Sequence, residues 1–212
     1  MVWEIPSRHV YAFGFTAAAL SVEHCRVMAG LYVKERDWDS VRDRVVEANL
    51  FRQNREKSSV RLEREIRPRL VTMTDEQLEL LAEAPEDEAK ALALVSVFKR
   101  YVVIYDFCVL VLRSKLAIYD SELRPSDFEN FVSDVEPSHP EIGELTKITL
   151  NKVQQVMIRI LVEAGILSDT KSPSITVPMV PYRVIDCVVN DSPQLLQGFL
   201  MSDSEISSLV QP

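Results

Sequence analysis

Glycine is scarce in this sequence, five residues among 212. Gly-rich phosphate loops and tightly turned sheets draw on glycine at positive φ, so both are disfavoured, while helices need none. Cysteine is scarce as well. Cys25, Cys108 and Cys187 lie far apart in apolar stretches, with no CxxC pair, which argues against a disulfide framework or a zinc site and for buried free thiols in a reducing cytoplasm. His9, His24 and His139 have neither HExxH spacing nor a neighbouring cysteine, so no metal and no cofactor are expected. GxSxG, Walker A and GxGxxG patterns are absent. Close acidic pairs such as Asp37/Asp39 and the run Glu86-Asp87-Glu88 read as helix starts. The expectation is a protein that is not an enzyme and has no small-molecule substrate.

A long apolar run is missing too. The stretch from Ala91 to Ile118 is broken by Lys99, Arg100, Asp106, Arg113 and Lys115. Its longest charge-free piece, Ala91 to Phe98, is far short of the ~20 apolar residues a spanning helix needs. The beginning of the chain carries Glu4 and Pro6 and lacks the apolar centre of a signal peptide. A soluble, cytoplasmic protein with no membrane partner is expected, with this stretch as a buried central helix or helix pair.

What is present is helical periodicity and an uneven charge. The net charge is −8. Residues 1–70 hold 13 Lys/Arg against 10 Asp/Glu, whereas residues 71–212 hold 11 against 22. Such a pI argues against a general nucleic-acid coat, yet the N-terminal third has a local basic face. Three helices are expected there: about Thr16–Lys34, Trp38–Asn49 with Asp37 as N-cap, and Gln53–Arg67, stopped or kinked at Pro68. Thr74 with Gln77, and Ser126 with Glu129, form capping-box patterns for later helices. A long helix ends at Gly165. Ile166–Ser168 and Ile175–Val177, around the turn-rich 169–174, read as a small β-hairpin. Two short helices and a frayed polar tail from Ser202 complete the chain. The fold class expected is all-α, a helical bundle with a helix-turn-helix-like module over 1–72 and a helical core domain with the hairpin over 73–212, packed together.

Three features suggest binding. Lys57, Arg61 and Arg64 share one helix face at i, i+4, i+7, with Arg52 and Arg55 at its entrance. Arginine in this setting can meet phosphate oxygens and base edges; equally, the interleaved Glu56, Glu63 and Glu65 could make it a solvated, salt-bridged face. The long helix carries Lys147, Lys152 and Arg159, followed by Lys171 in the hairpin, which is either a winged-helix arrangement or a core helix with an ordinary hairpin. Phe98, Tyr101, Tyr105 and Phe107 at helical spacing read as core before they read as a stacking platform.

Taken in order, Arg26-Val27-Met28-Ala29-Gly30-Leu31, Trp38, Val45, Asn49-Leu50, Ser58, Arg61-Leu62, Ile66, Arg69-Leu70, the segment Arg159 to Ser168, Lys171-Ser172, Ile175 and Val180-Pro181 resemble the BrxA family. BrxA proteins are small helical proteins encoded in BREX phage-exclusion clusters. The resemblance covers about Ala18 to Pro181. It implies a NusB-like helical fold with a helix-turn-helix-like part, double-stranded DNA binding without catalysis, and action beside the methyltransferase, ATPase and other proteins of the cluster. The chain departs from the family at Phe51-Arg52-Gln53-Asn54, where a more basic stretch is expected, and over its last 30 residues. The competing expectations are a protein–protein scaffold within the defence complex and a single-stranded RNA binder, the latter without an aromatic platform to support it.

Overall fold

The computed structural model describes residues 10–210. A 3-10 turn, Gly14–Ala17, precedes α1 (Val22–Glu35), α2 (Trp38–Glu47), α3 (Glu56–Leu70), α4 (Asp75–Glu83) and α5 (Glu86–Arg100). Then come α6 (Val102–Asp106), a π-helical segment (Phe107–Arg113), α7 (Ser114–Ala117), α8 (Pro125–Val135), a 3-10 turn (Pro140–Ile142) and α9 (Lys147–Glu163). The chain closes with α10 (Tyr182–Val189), a 3-10 segment (Pro193–Phe199) and α11 (Asp203–Val210).

Helix starts follow local chemistry. The Asp37 carboxylate accepts from the Asp39 and Ser40 amides, and Thr74 and Gln77 exchange both hydrogen bonds of a capping box. Pro85 is the N-cap of α5, whose first turn holds Glu86, Asp87 and Glu88 against the positive helix end. Leu92 through Phe98 are all buried, so α5 is the centre of the bundle. α3 and α4 pack against it, α1 lies along α4, α2 crosses α1 and α3, and α10 with the last 3-10 segment closes the other side. One hydrophobic cluster runs through all of these elements.

A buried polar node ties the N-terminal segment to this core. The Arg69 guanidinium is fully buried. It donates to the Glu65 carboxylate at 2.8 Å, to the Ala19 carbonyl at 2.8 Å and to the Ala18 carbonyl at 3.1 Å. Tyr101, where the chain breaks between α5 and α6, donates its hydroxyl to the same Glu65 oxygen at 2.6 Å. Glu163, at the end of α9, accepts from the Leu20 amide at 2.9 Å. Residues 18–20 are thereby clamped between α3 and α9.

Several sequence expectations need correction. The β-hairpin is absent: among the described residues no strand forms, and only the isolated bridges Leu167–Ile175 and Glu122–Ser174 occur. Pro173 and Pro178 supply no amide to extend a ladder, and the Asp169 carboxylate holds the Lys171 and Ser172 amides in a local turn. The winged-helix likeness lapses with it. Pro68 lies inside α3, which continues to Leu70; it removes the bond to the Arg64 carbonyl without stopping the last turn. α3 begins at Glu56 because Gln53 belongs to the preceding loop. α8 begins at Pro125, with Asp127 accepting from the Arg124 amide, so Ser126 is not its cap. The tail is helical over Asp203–Val210, anchored by the buried Ile206 and the Arg113–Asp203 ion pair at 2.6 Å.

Removing Arg69 leaves a carboxylate and two carbonyls buried without their partner. Arg69→Ala is expected to lower unfolding stability by roughly 3–5 kcal/mol, and the double change Glu65→Leu/Arg69→Met to regain much of that. Urea unfolding midpoints at unchanged slope are the measurement.

Candidate nucleic-acid interface

The charges of α3 separate into two populations by direction. Ser59, Ile66 and Leu70 point to the core. Glu63 and Glu65, which share the helix with the cations, are also buried. Glu65 is held by Arg69 and Tyr101 as above, and Glu63 meets Arg67 at 2.9 Å. Burial pushes the Glu63 carboxyl above its ordinary range, with Arg67, Arg42 and Arg64 opposing the shift. Arg67 in turn reaches Asp39 of α2 at 3.0 Å. Two of the three interleaved glutamates, Glu63 and Glu65, are thus engaged inward, flanking the apolar stripe.

Lys57, Arg61 and Arg64 are left on the outer face, exposed. With Ala17, Glu56 and Val60 they line a groove of about 580 Å³, Glu65 lying beneath. Among the described residues, the ion pairs formed by α3 involve Arg67 and Arg69 and none of these three cations. Glu56 is exposed in the first turn, where the helix dipole favours it.

Arg52 and Arg55 are presented by a braced loop, residues 48–55. The Asn49 side chain accepts from the Gln53 amide at 2.9 Å and donates to the Gln53 carbonyl at 3.0 Å, and Ser59 donates to Asn49 at 3.2 Å. Asn49 and Arg52 both take left-handed backbone angles, which Asn accepts readily. Phe51 is buried and packs edge-on against His24; burial of that ring lowers the His24 pKa. Arg52 and Arg55 are exposed at the approach to α3.

The other four predicted cations sit apart from this ridge. Lys147 and Lys152 are exposed near the start of α9. Arg159 pairs with Glu163 at 2.9 Å, and Lys171 projects from the Asp169 turn. α3 and α9 are joined through the 3-10 turn Gly14–Ala17, against which both pack. Sequence reasoning missed two further cations. Arg100 is exposed and lies over the Tyr101 ring, 5.6 Å from its centroid, close to the Glu65 node. Arg42 on α2 bears on Glu63. In the sequence Arg100 was legible only as an interruption of an apolar run.

Phe98, Tyr101, Tyr105 and Phe107 are all buried, as a core reading of their spacing requires. Among the described residues no three His, Cys, Asp or Glu side chains gather as a metal site, and no helix is long and apolar enough to cross a membrane.

The fold and this ridge define a helical bundle with a cationic N-terminal face on an otherwise acidic body. A family model for BrxA matches residues 9–191, and the chain belongs to the BrxA family. It is 25% identical over 131 residues to the BREX protein BrxA of Bacillus cereus, spanning 62% of this chain and 66% of that protein, just under two thirds of its length. It is 22% identical over 162 residues to the BREX protein BrxA of Paramagnetospirillum magneticum, spanning 76% of this chain and 81% of that one. In fold it resembles a crystal structure of an uncharacterized protein from Magnetospirillum magneticum, with a TM-score of 0.79 at 20% identity over 91% of this chain and 99% of that chain.

The three cysteines are buried, and burial raises their thiols, Cys25 to about 11 and Cys187 to about 12, with Cys108 raised further. Almost no thiolate is present at pH 8. An aromatic disulfide reagent should titrate none of the three in the native protein and all three in guanidinium; fast reaction of any one in the native state would show that its site opens.

Proposed function

We propose that the chain is a non-enzymatic double-stranded DNA-binding protein acting in the cytoplasm, within a BREX-type phage-defence system and beside the other proteins of its cluster. Membership of the BrxA family, and two relatives named BREX proteins, support the system. The observation that carries the duplex is the inward engagement of Glu63 and Glu65, which leaves Lys57, Arg61 and Arg64 as an exposed ridge that joins no ion pair among the described residues.

On this reading α2 and α3 act as a helix-turn-helix-like pair with α3 against the duplex. The connection over 48–55 is longer than the usual three- or four-residue turn, so α3 meets the backbone more than it probes a groove. Arg52 and Arg55 extend the contact from the loop. Lys147 and Lys152 add cations from α9; Arg159, paired with Glu163, and Lys171, on its separate turn, contribute least. The acidic remainder of the chain repels a duplex elsewhere and confines it to this face. Contacts of this kind are to phosphates, hence weakly sequence-specific and strongly salt-dependent.

Each phosphate neutralised adds roughly −0.9 to the slope of log affinity against log salt. Arg61→Ala with Arg64→Ala should make that slope shallower by about 2 and weaken binding to unrelated duplexes equally. Arg61→Glu with Arg64→Glu should abolish an electrophoretic shift at moderate salt. Unchanged binding by the charge-reversed protein removes α3 from the interface.

A further inference from the structure

The stretch Phe107-Cys108-Val109-Leu110-Val111-Leu112 is apolar on every side of its helix. A helix of that kind needs cover all round. Here α8 and the 193–199 segment cover only part of it. The π-helical turn directs Phe107, Cys108 and Leu112 inward and leaves Leu110 51% exposed. Just past α7, Ile118 is 74% and Tyr119 97% exposed. Tyr119 also has φ of 61°; it is the left-handed residue that ends α7, its amide donating to the Leu116 carbonyl and the Asp120 amide to the Lys115 carbonyl, a position where glycine is the usual occupant. An apolar ridge and a projecting aromatic therefore adjoin one another at the end of this helix.

Between this ridge and α8 lies a groove of about 470 Å³, with Phe131, Val111 and Val135 as its apolar lining, Leu110 and Ile118 on one wall, and Asp134 with Asn130 on the other. α8 carries Asp127, Glu129 and Asp134 and no basic residue. The nearby cations are already engaged: Lys115 with Asp120 at 2.7 Å and Asp127 at 3.1 Å, and Arg124 with Asp120 and Glu122. Among the described residues Asp134 and Glu129 join no ion pair and are exposed. Ser114, Lys115 and Asp127 also line the groove, the last two paired with each other, so among the described residues its apolar floor is bordered by one unpaired charge, that of Asp134.

We propose that this groove docks an amphipathic α-helix of another protein, one with two apolar residues a turn or two apart and lysine or arginine along the flanking edge. A helix laid in a groove uses such i, i+4 anchors, and Leu110 to Ile118 spans about two helical turns. The unpaired Asp134 carboxylate, with Glu129 nearby on α8, disfavours a nucleic acid or an anionic membrane surface. A second copy of this chain fits poorly: among the described residues, the exposed apolar residue flanked by lysines on a helix is Ile148, beside Lys147 and Lys152, a single knob where the groove presents two anchor positions. The proposal is independent of the duplex-binding reading, because none of the cations of α3 or α9 lines this groove.

The test uses the full chain and a fluorescent helical peptide of alanine, leucine and lysine, with leucines at i, i+4 and lysines along one edge. Anisotropy should report saturable binding that Leu110→Asp with Ile118→Asp weakens by about tenfold or more, that Asp134→Lys also weakens, and that Arg61→Glu with Arg64→Glu leaves unchanged. Tyr119→Gly should raise the thermal midpoint by relieving the backbone while weakening the peptide, a combination that damage to the fold would not produce. Equal binding by the folded Leu110/Ile118 variant overturns the proposal. So does concentration-dependent self-association of the wild-type chain in sedimentation that this variant abolishes, since the occupant is then a second copy.

Discussion

The buried pairing of Glu65 with Arg69 is the contact on which the rest of the molecule turns. Arg69 has no exposed surface, and its guanidinium satisfies one carboxylate and two backbone carbonyls of the N-terminal segment. Tyr101 completes the carboxylate's coordination from the break between α5 and α6. A charge removed from water is tolerated only with this degree of satisfaction. The pairing fixes how α3 is rolled about its axis, and with that roll it decides which charges of α3 see solvent.

That roll has an electrostatic consequence. α3 holds five basic and three acidic residues, and its acids Glu63 and Glu65 are engaged inside by Arg67 and Arg69, so the outward face is cationic. The body behind it is acidic, with 22 Asp/Glu against 11 Lys/Arg over residues 71–212. On the proposed reading, a polyanion would be attracted to one side and repelled from the others, which would orient it before contact. The apolar, acid-edged groove beside α8 lies on separate residues, so a duplex and a basic helix would not compete for the same side chains.

Much of the helical plan was legible in the sequence. Asp37, the Thr74–Gln77 box, Pro85 and Gly165 mark helix ends by local chemistry, and local chemistry survives folding. What was not legible depended on contacts distant in sequence. The alternation Ile166–Ser168 and Ile175–Val177 looked like a hairpin, but Leu123 and Ser121 take up part of its backbone hydrogen bonding, and Pro173 and Pro178 keep the pairing from extending beyond the bonds from Ser168 to Ser174 and from Thr176 to Ile166. Pro68 is tolerated because α3 has only one turn left to run. For the candidate interface, the spacing of Lys57, Arg61 and Arg64 was readable, but whether Glu63 and Glu65 neutralised them was not. For Glu63 that question was decided by Arg67, and for Glu65 by Arg69 and by Tyr101, the latter 36 residues away along the chain.

Arginine modification with a dicarbonyl reagent, mapped by mass spectrometry with and without duplex DNA, tests the partition of α3 directly. Arg69 should remain unmodified in both states, while Arg61 and Arg64 should react in the free protein and be protected by the duplex. Modification of Arg61 and Arg64 to the same extent in the presence of saturating duplex, or ready modification of Arg69 in the folded chain, would contradict the account.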